Sequence, residues 1–228
     1  MEQLPLGVRV RERATFETFL PGDNLEALRH LEALAEGRAG VTWLWGPRGS
    51  GRSHLLQATA ARAARHVPAA CLSCAELRPG GAAALLGWQG YGLLALDDLD
   101  ALAGEPAFER TLFSLFIDAQ ERGAALVVSA ASAPAALHWS LADLGSRFGG
   151  GAVFQLRPLG DDEQVVALRA RAAARGLELP EETARYLQRR LPRDMASLCE
   201  VLDALDVASM AAQRRITVPF IRAVLGEP

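Results

Sequence analysis

The most constraining feature of the chain is the run Gly46-Pro47-Arg48-Gly49-Ser50-Gly51-Arg52-Ser53, set between an apolar stretch at 41–45 and a helical stretch that opens at residue 51. Its glycines allow the backbone to turn tightly and aim successive N–H groups at one spot. A helix beginning directly after them adds the positive end of its dipole, so the turn suits a phosphate. Strand, turn and helix form the repeating unit of a parallel sheet wrapped by helices, and the chain that follows keeps that alternation. Apolar runs at 69–72, 92–96, 125–129 and 152–156 complete five expected strands. They are short and almost wholly apolar, as strands covered on both faces are. Helices are expected at 51–66, 80–86, 106–122 and 137–144. Right-handed crossovers bring the carboxyl ends of the strands, and any ligand, to one edge of the sheet.

The pattern changes after Arg157-Pro158-Leu159-Gly160. Segments 161–175, 181–190, 194–213 and 218–225 read as amphipathic helices, opened by acids or proline and followed by Gly176, Pro192 or basic residues. The expected organisation is a tail at 1–13, an α/β domain at 14–159 and a small all-helical domain at 160–228, each domain long enough for a core. A formal charge of -3 without a long basic run argues against a protein that holds DNA chiefly by neutralising phosphates. The odd count of three cysteines suits a reducing compartment, and Cys71 and Cys74 lack the second pair a zinc site needs. No run approaches the roughly 20 apolar residues of a membrane helix, and the acidic start Met1-Glu2-Gln3 is not a secretory signal. The expectation is a cytoplasmic protein with no membrane partner. His30, His54, His66 and His138 form no i, i+4 pair and read as surface or helix-end residues, while Trp43 and Trp45 read as core.

The run at 46–53 fits G-x-x-x-x-G-K-[ST] at every position but one. Arg52 stands where lysine belongs, in a chain whose 24 basic residues are all arginine. Arginine keeps the charge but is planar, forked and bulkier. Candidate nucleotide ligands are Gly46, Pro47, Gly49, Ser50, Gly51, Arg52, Ser53 and His54, with the Ser53 hydroxyl offered to Mg2+. A glycine-rich turn without a ligand is the alternative reading. A second signal is Leu93-Leu94-Ala95-Leu96-Asp97-Asp98, an apolar strand ending in two acids. Asp97 is the candidate Mg2+ ligand and Asp98 the residue that would polarise an attacking water. Otherwise the pair caps the next turn, where Asp100 also sits.

On these residues the chain resembles AAA+ ATPases, and among them the nucleotide-binding domain of the replication initiator DnaA, from about residue 14 onward. Ala14-Thr15-Phe16-Glu17-Thr18-Phe19, with Gly22 and Asn24, resembles the segment that lies over the adenine in that family. Arg52-Ser53-His54-Leu55-Leu56-Gln57 resembles its phosphate-loop continuation. The resemblance implies two further roles. Arg147, in Leu144-Gly145-Ser146-Arg147-Phe148, matches the arginine finger that enters a neighbouring subunit's nucleotide site. Arg193, in Leu191-Pro192-Arg193-Asp194-Met195, matches a sensor that contacts phosphates in cis. Taken alone, each arginine also reads as a solvated charge or a helix cap.

The basic helix-turn-helix domain that follows the lid of the initiator is absent from this sequence. The N-terminal Gln3-Leu4-Pro5-Leu6 resembles short peptides that dock as extended anchors, two leucines buried, on the replicative sliding clamp. The combination resembles the Hda family of initiator regulators. That resemblance implies ADP (or ATP) and Mg2+ as cofactors, and DnaA and the DNA polymerase III sliding clamp as partners, with DNA reached through the clamp. It implies stimulated hydrolysis of DnaA-bound ATP by Arg147, and it leaves self-association open. Two other readings stay open: an ATP-hydrolysing helicase-loader-type protein, and a DNA-binding accessory module using Arg189, Arg190, Arg214 and Arg215. Ser129-Ala130-Ala131-Ser132 lacks the acidic or amide sensor of the superfamily, which together with Arg52 and the short Asp98 implies slow intrinsic hydrolysis.

Overall fold

The computed structural model describes residues 14–190, 195–212 and 217–225. Strands β1 (Gly40–Trp45), β2 (Ala69–Ser73), β3 (Leu93–Asp97), β4 (Ala125–Ala130) and β5 (Ala152–Gln155) pair in parallel into one sheet. Their order is β2-β3-β4-β1-β5. The first strand therefore lies inside the sheet, and the loop that follows it emerges at a crevice where the winding direction changes, the usual ligand position in such sheets.

Neighbouring side chains on a strand point to opposite layers. Leu44 packs with Leu31, Leu55, Leu56 and Val127 beneath helices α1 (Leu25–Ala35) and α2 (Arg52–Ala63). Trp43 packs with Leu112, Phe116, Val128 and Phe148 on the other face. That face is covered, after the short α3 (Cys74–Leu77), by α4 (Pro106–Arg122) and α5 (Ala142–Gly149). Trp43 is fully buried, its indole N–H donating to the Ser132 carbonyl at 3.0 Å, and Trp45 packs against the same cluster. Each fully buried leucine contributes about 1.5–3 kcal/mol, so these two layers are the main stabilisation of the sheet.

Helix α1 was not among the expected elements, although Leu25, Leu28, Leu31 and Leu34 recur at helical spacing. The segment expected to be helical at 80–86 instead holds the 3-10 turn Ala82–Leu85, separated by Gly81 from a second 3-10 turn, Arg78–Gly80, that follows α3. The helix expected at 137–144 begins five residues later. The cause is Glu109, fully buried in α4. Its carboxylate accepts the N–H groups of Ser140 (3.0 Å), Leu141 (2.6 Å) and Gly104 (2.7 Å), which keeps Leu141 extended until the chain turns at Ala142.

Helices α6 (Asp161–Ala174), α7 (Glu181–Arg190), α8 (Met195–Ala212) and α9 (Val218–Leu225) form a lid around Leu168, Leu187, Leu198, Leu202 and Ile221, a cluster separate from both layers of the sheet. Asn24 clamps the strand-to-lid connection, exchanging two 2.8 Å hydrogen bonds with the backbone of Arg157. Among the described residues no helix is long and apolar enough to cross a membrane.

Candidate nucleotide-binding site

The loop after β1 has the backbone that its glycines foreshadow. A Cβ at Gly46 would lie 2.5 Å from the Leu156 carbonyl oxygen, so only glycine fits. Gly51, at φ +95°, caps α2 in the left-handed region, and a Cβ there would lie 2.5 Å from the Phe19 ring. Helix α2 thus opens with free N–H groups facing the loop. Two buried polar atoms here have no partner, Ser50 Oγ and Arg52 Nη1. An unsatisfied buried polar group costs about 1–3 kcal/mol, and phosphate oxygens are acceptors that would relieve both. The donor set and the cradle therefore fit a nucleotide phosphate.

The acids at the end of β3 sit beside this loop. Ser129, fully buried in β4, donates its hydroxyl hydrogen to Asp97 Oδ1 and accepts the Asp98 N–H at 2.9 Å. Ser129, from the segment that lacks an acidic or amide sensor, is thus the post on which both acids hang. Asp98 adopts φ +53°, the single non-glycine residue with positive φ among the described residues. Its Oδ1 lies 3.1 Å from Arg52 Nη2. Burial pushes the Asp98 carboxyl above its usual range, Asp97 adds to this, and Arg52 opposes it. The residue expected to polarise water is therefore engaged by the residue expected to hold phosphate. Among the described residues no three His, Cys, Asp or Glu side chains converge on a metal position. A Mg2+ ion would rely on Asp97, Ser53 and the phosphate oxygens themselves, which is how Mg2+ is commonly held.

A narrow cleft of about 40 Å³ runs between Phe19, Asn24, Ser50, Leu159 and Arg171, joining the N-terminal segment, the loop and the lid. Nucleotide-sized ligands occupy pockets of about 300 Å³ or more, so the lid and the Phe19 segment must separate to admit one. His54 ties these parts together from the first turn of α2, a helix-end residue as its spacing suggested but not a free surface one. Its Nε2 lies 2.8 Å from the Thr15 carbonyl and its Nδ1 2.7 Å from Arg171 Nη2. A carbonyl only accepts and a guanidinium only donates, so His54 is the neutral tautomer with hydrogen on Nε2. Neither ring nitrogen is left for a phosphate, which counts against a direct ligand role. Phe19 and Asn24 belong to the segment whose resemblance implies a place over the adenine, whereas Arg171 was absent from the residues singled out. Arg171 is 117 positions from His54, and no local pattern marks it.

Burial, partly offset by the Thr15 carbonyl and reinforced by Arg171, pushes the His54 pKa from 6.5 down to about 4. Between those values the unfolded chain binds a proton that the folded one refuses. The His54 contribution is therefore intact above pH 6.5 and lost as pH falls toward 4, on the order of 3 kcal/mol. Urea unfolding of the wild type at pH 7 and 4.5 is expected to show this loss, and His54→Gln to show a smaller pH dependence. An identical dependence in the two proteins would contradict the assignment.

Arg147 stands apart from all these groups. It occupies the last turn of α5, with its guanidinium 4.8 Å over the Phe113 ring, 5.9 Å from Phe116 and 3.4 Å from Asp143. It borders a cavity of about 460 Å³ lined by Gly40, Gln120, Gly123, Gly150 and Gly151, at the amino end of the strands. The phosphate loop is at their carboxyl end, across the six residues of β1, or roughly 17 Å at about 3.3 Å per residue. The structure thus brings together Gly46, Pro47, Gly49, Ser50, Gly51, Arg52, Ser53, Asp97 and Asp98 at one edge and leaves Arg147 at the other. Arg193 and the peptide Gln3, Leu4, Leu6 lie outside the described residues.

The family model described as Hda, lid domain, matches residues 161–225. The fold is similar to domain III of the replication initiation protein DnaA from Thermotoga maritima, with a TM-score of 0.81 and 20% identity over 95% of this chain and 97% of that one. AMPPCP-bound DnaA from Aquifex aeolicus superposes with a TM-score of 0.70 and 21% identity, covering 89% of this chain and 68% of that chain. The RuvB Holliday junction branch migration motor of Thermotoga maritima gives 0.67 and 19%, over 93% and 71%. Residues 161–225 thus match a lid of the Hda type, and the chain as a whole has the fold of DnaA domain III.

Proposed function

We propose that the chain is a nucleotide-held negative regulator of replication initiation, acting on DnaA by supplying Arg147 to the ATP bound there. The observation that carries this reading is the separation of Arg147 from its own phosphate loop by the width of the sheet. An arginine so placed has no access to the nucleotide of its own chain, yet it is half-exposed at an edge that a neighbour can cover. In this reading residues 14–159 hold the nucleotide, residues 160–228 close over it, and the tail at 1–13 presents Gln3, Leu4 and Leu6 to the sliding clamp. The loop N–H groups, Ser50 and Arg52 bind ADP or ATP phosphates, and Ser53 and Asp97 hold Mg2+. The ion supplies charge neutralisation between phosphate oxygens when bound. Intrinsic hydrolysis is slow because the Asp98 carboxylate is engaged by Arg52 rather than directed at a water.

The AMPPCP-bound DnaA structure supports an adenine nucleotide as the ligand class, and the lid match supports DnaA as the partner. The test is to mix this protein and ADP with DNA-loaded clamp and ATP-loaded DnaA, and to follow DnaA-bound ATP over time. Accelerated conversion to ADP is expected only when all components are present. An unchanged rate removes the proposal.

A further inference from the structure

The Arg52–Asp98 pair carries an inference about nucleotide choice, resting on the proposal that the loop at 46–53 binds nucleotide. Arg52 has two terminal nitrogens. One, Nη2, is committed to Asp98 at 3.1 Å, and the other, Nη1, is buried with no acceptor. The guanidinium side chain is only 12% exposed, so it cannot turn to solvent to satisfy itself. Asp98 is itself held, through its N–H to Ser129 and through a left-handed backbone that few residues adopt. Asp97 and Asp100 flank it, and among the described residues Arg52 is the one cation paired with these three acids. Position 52 is where this type of loop reaches for the β and γ phosphates. A carboxylate is a competing anion for the same donor, with similar oxygen geometry.

We propose that Asp98 is a specificity-determining residue: it holds Arg52 against the third phosphate, so the site favours a nucleoside diphosphate over a triphosphate. A triphosphate must break the pair and leave Asp98 facing its own added charge. A diphosphate is held chiefly by the loop N–H groups and leaves the pair in place.

The test is direct binding of Mg-ADP and Mg-ATP by titration calorimetry to the full chain, without any partner. Asp98→Asn removes the competing charge and keeps the shape. It is expected to tighten ATP binding about tenfold, the size of one partly screened charge at close range, and ADP binding by much less. In an Arg52→Ala background the same Asp98→Asn change is expected to shift ATP affinity less than about threefold, because the two residues act as a coupled pair. Equal effects of Asp98→Asn on the two nucleotides, no effect, or an undiminished gain without Arg52 would each overturn the inference while leaving nucleotide binding intact. Failure of the wild type to bind either nucleotide would instead remove the nucleotide reading and the inference with it. Unchanged thermal midpoints of the variants exclude misfolding as the cause.

Discussion

Arg147→Ala is expected to abolish stimulation of DnaA-bound ATP hydrolysis, lowering the stimulated rate by about 10³-fold or more, the usual effect of an arginine finger supplied in trans. The same variant is expected to bind ADP as tightly as wild type. That contrast follows from position, since Arg147 borders the cavity at the amino end of the strands whereas the loop lies at their carboxyl end. The pairing of Arg147 with the exposed Asp143 contributes little by itself, as exposed i, i+4 pairs generally do. The faces of Phe113 and Phe116 restrict the guanidinium more, because they hold its plane and shield it from water. Arg147→Lys keeps the charge but loses the forked donors and the stacking, so it is expected to restore little of the rate. Stopped-time assays of bound nucleotide, run beside ADP titrations of the same preparations, check both halves. Loss of ADP binding in Arg147→Ala would show that the arginine serves its own site.

The second large effect is expected from a residue with no contact to any nucleotide. Glu109→Ala should destabilise the protein by about 4 kcal/mol, because three N–H groups lose their buried acceptor at once. Glu109→Gln retains one acceptor oxygen and should lie between the two. The loss also frees the segment that precedes α5, so Arg147 should act poorly even where Glu109→Gln remains folded at low temperature. Denaturant unfolding gives the first effect, and the stimulated rate of the folded variant gives the second. Stability within about 0.5 kcal/mol of wild type in Glu109→Ala would contradict the role assigned to that carboxylate.

These two residues mark how far the sequence could be read. The strands were legible because a sheet covered on both faces demands short apolar runs, and each observed strand lies within a residue of its expected bounds. The loop was legible because glycines at Gly46 and Gly51 answer a steric need that any side chain would violate. The start of α5 was not, since it is fixed by Glu109 from 31 residues away rather than by a local cap. The bridge from His54 to Arg171 was hidden for the same reason, being a contact between the sheet domain and the lid. Arg52 was visible as a departure from the lysine pattern, but its engagement with Asp98 needed the register that brings β3 beside β4 and both beside the loop. Helix α1 is a different case, because its leucine spacing at 25, 28, 31 and 34 is a local signal present in the sequence itself.

The central claim is that this chain acts on a nucleotide held by another protein and does not turn over its own. The most direct measurement loads DnaA with ATP carrying one radiolabel and this protein with ATP carrying another, then combines them with DNA-loaded clamp and follows both labels in one reaction. The expected result is rapid loss of the ATP bound to DnaA with the other label released at well below about 1 s⁻¹, the low end of ordinary enzymes. Rapid turnover of this protein's own label, with DnaA-bound ATP unchanged, would contradict the account and indicate an ATP-driven loader instead.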